Sequence, residues 1–243
     1  SYTDNWYGRR INLNNVPLKG NGDLTLTDSV TGEVIYMTSF SSLFQEWITT
    51  PEALEVDKSF EFTILVPMPL NKCVATLVLR DNKGKESIHK FTIDPNDTLI
   101  RNRTNQEPLP YKYIHKGDDS KHAIDVVILA EGYTADQMDM FLEDALIAKR
   151  EILSYQPFSS HTEKFNFIAV MSPSVDGCVS VPQAFDWRDT AVSSNFMTFY
   201  MPRYLTTGNV YDIYDLVTNI PCEHLIILAN TSTYGGGGIY NSY

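Results

Sequence analysis

The sequence lacks the short motifs that mark the commonest catalytic and nucleotide-binding sites. It has no GxSxG, the motif of the nucleophile elbow in α/β-hydrolases, and no GxGxxG or GxxxxGKS/T loop to hold phosphates. HExxH, which places two zinc ligands on one face of a helix, is also absent. No motif in these residues therefore supports a serine nucleophile, a nucleotide site or a zinc site.

Cysteine is scarce, and no apolar run is long. The three cysteines, Cys73, Cys178 and Cys222, lie far apart without CxxC spacing. They predict neither a zinc knuckle nor a disulfide framework. We expect buried free thiols, with a Cys178–Cys222 bridge as the alternative. Because no run of about 18 apolar residues occurs, the sequence predicts no transmembrane segment.

Positive charge is also in short supply. The 243 residues carry 19 Lys and Arg against 30 Asp and Glu, for a net charge of −11, and residues 121–243 contribute −8 of it. A phosphate backbone would be repelled, so nucleic acid is excluded as an expected partner. The hydrophobic fraction of 43% is enough for a sizeable core, and the length allows two domains of about 100–150 residues.

One stretch organises the second half of the chain. Residues 123–130 form a nearly continuous aliphatic run, which is typical of a strand covered on both faces. Thr134 and Gln137 then have the spacing of a capping box. The apolar residues that follow recur three and four apart, so we predict a helix that ends near Tyr155, before Pro157.

The first half has the pattern of an antiparallel β-sandwich. Short alternating runs separated by turn residues predict strands at 23–27, 33–37, 59–66, 73–80 and 87–93. Between them, residues 40–53 are rich in aromatics, including Phe44 and Trp47. We expect these aromatics to fill the core of the sandwich or its edge, and a ligand platform is the alternative.

A polar segment with several prolines, residues 94–121, connects the two halves. We therefore predict a β-sandwich domain over 1–110 and an α/β domain over 111–243, which is an α+β fold overall. Within the second domain the pattern predicts further strands at 164–171 and 223–230 and helices at 190–199 and 209–219.

Glu131 and a group of three aspartates are candidate site residues. Glu131 directly follows the buried strand, where open α/β sheets bind their ligands, although a carboxylate is also favoured there by the N-terminus of the next helix. Asp176, Asp186 and Asp189 lie in one loop and are a candidate set for a hard cation, although a calcium site needs six or more oxygens.

Near its end the sequence has four consecutive glycines. A chain without side chains costs backbone entropy and is tolerated where another chain comes close, although a flexible loop is the alternative. We predict that this segment is an edge on which a peptide substrate aligns through main-chain pairing. The predicted substrate-binding residues are Tyr234, Gly235, Gly236, Gly237 and Gly238, with Glu131 in addition.

Five stretches of the sequence carry a resemblance to a known family. They are VIYMTSFSSLFQEWITTPEA (34–53), HAIDVVILAEGYTADQ (122–137), FNFIAVMSP (165–173), DTAVSSNF (189–196) and ILANTSTYGGGGIYNSY (227–243). The first is similar to the N-terminal β-sandwich domain of the IgA-peptidase family of bacterial zinc metallopeptidases. The other four resemble the catalytic domain of that family.

The resemblance implies a zincin-like α/β domain and a zinc metallo-endopeptidase. In that family a glycine-rich segment like 234–239 precedes an HExxH helix, which holds zinc and supplies the glutamate general base. No position here matches that helix, so we carry over no catalytic or metal-binding residue and expect the domain to be truncated at its C-terminus.

The resemblance also implies where the protein acts and on what. It implies a secreted, periplasmic or surface-anchored bacterial enzyme with protein or peptide substrates, immunoglobulin A among the candidates. Zinc is expected in the complete protein, and the 243-residue chain is expected to be inactive alone. The alternative is a surface module that binds glycans or proteins, which exposure of Phe44, Trp47 and Trp187 would favour and their burial would oppose.

Overall fold

The computed structural model describes residues 1–3, 5–16, 18–119 and 122–238. The chain divides into two compact units, residues 1–105 together with Gly238, and residues 106–237. Each unit contains one four-stranded sheet, and helices are few, so the predicted α+β class is confirmed. In the part of the chain that is described, no helix has the length and apolar character needed to cross a bilayer. The domain bounds 1–110 and 111–243 stay a prediction.

The N-terminal unit is built on an antiparallel sheet with the strand order β2-β1-β3-β4. Its strands are β1 (Gly22–Asp28), β2 (Val34–Phe40), β3 (Cys73–Arg80) and β4 (Glu86–Ile93). The predicted strands at these four places are confirmed. Their alternation buries one set of side chains, among them Leu26 and Tyr36, in the core of this unit.

The second layer over this sheet is not made of strands. The predicted strand at 59–66 is wrong, because the structure has no regular secondary structure there. The segment instead packs its aromatic rings beside the short helix α1 (Leu43–Trp47), and Phe62 stacks on Phe40 with ring centroids 4.8 Å apart. Alternating apolar residues suit any extended chain lying over a sheet, whereas a strand also needs a neighbouring main chain to pair with.

The second unit has a mixed sheet with the strand order β5-β7-β6-β8. Its strands are β5 (Tyr111–His115), β6 (Ile124–Glu131), β7 (Phe165–Val170) and β8 (His224–Ala229). β6 is parallel to both β7 and β8, and β5 is antiparallel to β7. The prediction that 94–121 is only a connection is wrong for β5, a five-residue strand whose mainly polar and aromatic side chains give little signal in the sequence.

Helices cover both faces of β6, as predicted. The capping box of Thr134 and Gln137 forms, and α2 (Met138–Ser154) packs against the face that carries Ile128. α3 (Val210–Leu216) packs against the opposite face, which carries Val127. Both of these β6 side chains are completely buried. Packing on both faces therefore fixes the carboxyl end of β6 in the core of the unit.

The helix predicted at 190–199 is wrong. This stretch is a loop, and the backbone takes left-handed φ values at Ser193, Met197 and Phe199. Thr190 does not cap a helix, because its hydroxyl donates a hydrogen bond to the carboxylate of Glu131. A long-range polar contact has therefore overridden the local signal.

The cysteines are free thiols, and no bridge joins Cys178 to Cys222. Cys73 and Cys222 are buried as predicted, whereas Cys178 is exposed, so that part of the prediction is wrong. Burial, followed by the nearby Asp125 and Glu223 carboxylates, raises the pKa of the Cys222 thiol to about 12. Since the thiolate is the reactive form, the Cys222 side chain is chemically inert in the folded protein.

Candidate substrate-binding site

The carboxylate of Glu131 lies at the end of β6 and is completely buried. Its Oε1 accepts hydrogen bonds from the Thr190 hydroxyl at 2.7 Å and from the Ser194 amide at 2.8 Å. Its Oε2 accepts a hydrogen bond from the Val192 amide at 3.0 Å. Because a buried carboxylate is costly unless it is hydrogen-bonded, these three donors and Glu131 hold one another in place. Substrate binding by Glu131 stays a prediction, and the geometry first supports a role in fixing the loop.

The residue after Glu131 must be glycine. Gly132 has a φ of +71°, and a Cβ at this position would lie 2.4 Å from the carbonyl oxygen of Cys178. Its amide donates a hydrogen bond to the Ser174 hydroxyl at 3.0 Å, and the same hydroxyl accepts a bond from the Ala191 amide at 3.0 Å. The end of β6 is thereby tied to two loops at once.

The loop fixed by Glu131 continues into a ladder of main-chain bonds that reaches the glycines. Asn195 and Thr206 exchange amide-to-carbonyl bonds at 3.0 and 3.3 Å. The next stretch, in turn, pairs with Gly236, whose amide donates to the Arg203 carbonyl at 3.0 Å and whose carbonyl accepts from the Leu205 amide at 3.3 Å. These main-chain bonds thus connect the glycine segment, through residues 203–206, to the loop that Glu131 fixes.

Every second glycine of the segment packs closely against residues of the 196–206 stretch. A Cβ on Gly235 would lie 2.4 Å from the ring of Phe196, and one on Gly237 would lie 2.6 Å from the ring of Tyr204. Any side chain at these two positions would require the neighbouring aromatic rings or main chain to shift. Packing therefore explains why Gly235 and Gly237 are glycines.

The other two glycines face open space. Nothing among the described residues lies within 4 Å of a Cβ placed on Gly236 or Gly238. Both main-chain bonds of Gly236 are directed at residues 203–205, so by strand alternation the amide and carbonyl groups of Gly235 and Gly237 point to the opposite edge. The preceding Tyr234 side chain is 80% exposed. Among the described residues, Gly236 and Gly238 thus present an open face beside the exposed Tyr234.

Two of the three aspartates of the neighbouring loop have carboxylates that contact their own loop. The Asp176 carboxylate accepts the Asp189 amide at 2.8 Å, and Asp186 forms an ion pair with Arg188 at 2.7 Å. Within the described ranges, no group of three or more histidine, cysteine or carboxylate side chains has the arrangement needed for a metal ion. The described residues therefore do not fit the catalytic zinc that the family resemblance implies.

Glu223 and His224 also have separate surroundings. The Glu223 carboxylate accepts the amide of Asp125 at 3.0 Å, at the start of β6, whereas the His224 side chain is exposed at the start of β8. This is the expected consequence of alternation along a strand. Glu223 thus holds the entry to β6.

Unusual backbone geometry is concentrated in the loops beside the glycines. Of the eight non-glycine residues with positive φ in the described part of the chain, six lie between positions 178 and 200. Such conformations cost free energy and cluster at functional sites. Nothing in the sequence indicated this, because the six include bulky residues that rarely adopt such angles: Cys178, Phe185, Ser193, Met197, Phe199 and Tyr200.

The aromatic residues considered for ligand binding divide between core and surface. Trp47 is buried and donates a hydrogen bond to Glu52 at 2.6 Å, so it belongs to the core of the N-terminal unit. Phe44 is half-buried, and Trp187 is 68% exposed in the strained loop region. Only Trp187 therefore has the surface position that a binding module would require.

We expect Glu131→Gln to destabilise the protein by about 1–3 kcal/mol, because the amide nitrogen of glutamine cannot accept a hydrogen bond and a buried donor is left unsatisfied. Denaturant unfolding of the full chain measures the free-energy difference. Glu143→Gln is the matched control, since Glu143 is exposed on α2. Equal unfolding free energies for the two variants would show that the carboxylate does not hold the loop.

Comparison with protein families gave two matches that together span most of the chain. The profile described as IgA Peptidase M64 matches residues 113–243, and the profile described as Peptidase M64 N-terminus matches residues 1–92. Comparison with curated protein sequences found no match. The first profile covers more than half of the chain and includes β6, its loops and the glycine segment. The chain therefore belongs to the IgA peptidase M64 family of metallopeptidases.

Proposed function

We propose that residues 234–238 form the strip on which an extended segment of a protein substrate aligns in a zinc metallo-endopeptidase. The observation that carries this proposal is the two-residue alternation of the glycines. Gly235 and Gly237 lie tightly against their neighbours, whereas Gly236 and Gly238 face open space. Packing requires glycine only at the first two positions, so access for another chain accounts for the other two.

Alignment by main-chain pairing suits an enzyme that acts on proteins. By strand alternation from Gly236, the amide and carbonyl groups of Gly235 and Gly237 are directed away from residues 203–205. We propose that they pair there with the backbone of the substrate. Such pairing supplies affinity without depending on the side chains of the substrate. Specificity then comes from the surroundings of the strip, where Tyr234 is exposed.

The role of these residues is to hold the substrate, and the reacting water is activated elsewhere. A zinc ion lowers the pKa of its bound water and polarises the carbonyl that is attacked. Because the described residues supply no ligand set, we propose that the zinc ligands and the general base are not among these 243 residues. Glu131 is not a substitute general base, since its carboxylate is buried and bound to three donors.

A secreted or surface location, with immunoglobulin A among the candidate substrates, completes the proposal. It is supported by the family description, which names IgA peptidases. Exposure of Trp187 supports a second candidate function, a surface module that binds glycans or proteins on an α/β scaffold. Loss of binding by Trp187→Ala without loss of peptide cleavage would separate that function from catalysis.

In a protein that joins these residues to a complete zinc site, we expect Gly236→Val to lower kcat/KM for a protein substrate at least tenfold, or about 1.4 kcal/mol. A valine side chain would occupy the open face, so the zinc content and the thermal midpoint should not change. Gly208→Val is the matched control, because Gly208 is an exposed glycine of the same unit that also has nothing within 4 Å of its Cβ position. Unchanged cleavage by Gly236→Val would contradict the proposal.

The 243-residue chain purified alone should bind no stoichiometric zinc at neutral pH and should not cleave proteins. Elemental analysis after dialysis against a low zinc concentration measures the first property. One tightly held zinc ion per chain would show that ligands are present among these residues and would overturn the assignment of the metal site to residues outside this chain.

A further inference from the structure

The N-terminal unit has a groove of about 640 Å³ on one face of its sheet. Leu77 and Leu79 of β3 line it, together with the aromatic rings of Phe40, Phe60 and Phe62. The polar part of the lining includes Lys85, Ser87 and His89, the last two from β4. A mostly apolar cleft with a few polar groups is the usual form of a binding site.

The strand beside this groove has an open edge. Among the described residues β4 pairs only with β3, and seven of its eight residues are exposed. Two of them are large and apolar, Ile88 at 59% exposure and Phe91 at 56%. A long edge strand with exposed apolar side chains is a template for pairing with another chain.

The register of the sheet connects the edge with the groove. Leu77 lies directly opposite His89, and Leu79 lies directly opposite Ser87, so these side chains share the face that carries the groove. A strand added beside β4 would place every second side chain on that same face, next to Ser87 and His89. Its alternate side chains would lie on the other face, beside Ile88 and Lys90.

The charge of this hairpin is opposite to that of the whole chain. Residues 80–90 carry four basic and two acidic side chains, for a net charge of +2, whereas the chain as a whole carries −11. The Arg80 charge is balanced within the unit by Asp23 at 2.6 Å and Glu86 at 3.1 Å. The lysines on the exposed hairpin favour an acidic partner. Pairing of β4 with β4 of a second copy would bring two positively charged hairpins together, and a lysine in an edge strand opposes such self-pairing.

We propose that β4 and the groove bind an extended protein segment whose apolar and acidic side chains alternate, by adding it as a fifth strand to the sheet. The apolar side chains enter the groove, which Lys85 also lines. The acidic ones lie on the other face near Lys90, where the charge of Glu86 is paired with Arg80. This inference is independent of the proposed cleavage function, since it concerns the N-terminal unit and requires no metal.

The probe is a short, capped, fluorescent peptide in which glutamate alternates with valine and phenylalanine, titrated with the full chain in an anisotropy measurement. We expect saturable binding. A peptide with lysine in place of every glutamate, and one with alternate amides methylated along one edge, should each bind at least tenfold more weakly. The first comparison tests the charge preference, and the second tests main-chain pairing.

Variants of the chain test whether the peptide binds at β4. Lys90→Glu should weaken the acidic peptide about fivefold, the upper range for one exposed charge pair, and strengthen the lysine peptide. Ser87→Trp, an exposed position that faces the groove, should abolish binding of both. Lys112→Glu is the control, because Lys112 is exposed on β5, an edge strand of the other sheet, and it should change nothing.

Three results would overturn the proposal. They are equal binding of the methylated and unmethylated peptides, parental affinity in both β4 variants, and no saturation by the acidic peptide at millimolar concentration. Saturation of the groove by an oligosaccharide, without binding of the peptide, would assign the groove to glycans instead. Circular dichroism of each variant checks that the fold is retained.

Discussion

The hydrogen bonds of the Glu131 carboxylate organise the loops of the second unit that lead to the glycine segment. β6 ends in the core with helices on both faces, so the carboxylate at its end has a fixed position. Its three donors come from residues 190–194, a stretch with no regular secondary structure of its own. A buried charge without partners would cost several kcal/mol, and the loop amides without an acceptor would also be unsatisfied. The carboxylate therefore depends on the loop donors for its hydrogen bonds, and the donors depend on the carboxylate.

Main-chain hydrogen bonds also connect this contact to the glycine segment. Residues 194–196 pair with 180 and 206, and residues 203–205 pair with Gly236. The glycine segment is thus supported by the loop rather than by a regular sheet, and strained φ values between 178 and 200 are part of that support. If the segment aligns a peptide as proposed, support beneath a bare backbone limits the order that is lost when the peptide binds.

Sequence reasoning predicted the parts of the fold that depend on local pattern. The aliphatic run of β6, the capping box at Thr134 and four strands of the first unit follow from alternation, burial and turn residues. Substrate binding by the glycine segment stays a prediction, and the structure adds that packing requires glycine at Gly235 and Gly237 but not at Gly236 and Gly238.

The wrong secondary-structure predictions share one physical cause, which is contact with residues that are distant in the sequence. Residues 59–66 alternate like a strand but have no strand to pair with, and β5 forms because β7 lies beside it. Thr190 has the sequence character of a helix cap, yet its hydroxyl binds a carboxylate 59 residues away. No local pattern encodes these contacts, so the role of Glu131 in holding the loop could not be derived from its position after a strand.

Amide hydrogen exchange in Glu131→Gln tests the central claim most directly. If the carboxylate supports the glycine segment through the loop, the amides of Leu205 and Gly236 should exchange at least tenfold faster, which corresponds to about 1.4 kcal/mol. The amides of β1, in the other unit, should be unaffected. Unchanged protection at Leu205 and Gly236, in a variant whose Val192 and Ser194 amides exchange faster, would contradict the account.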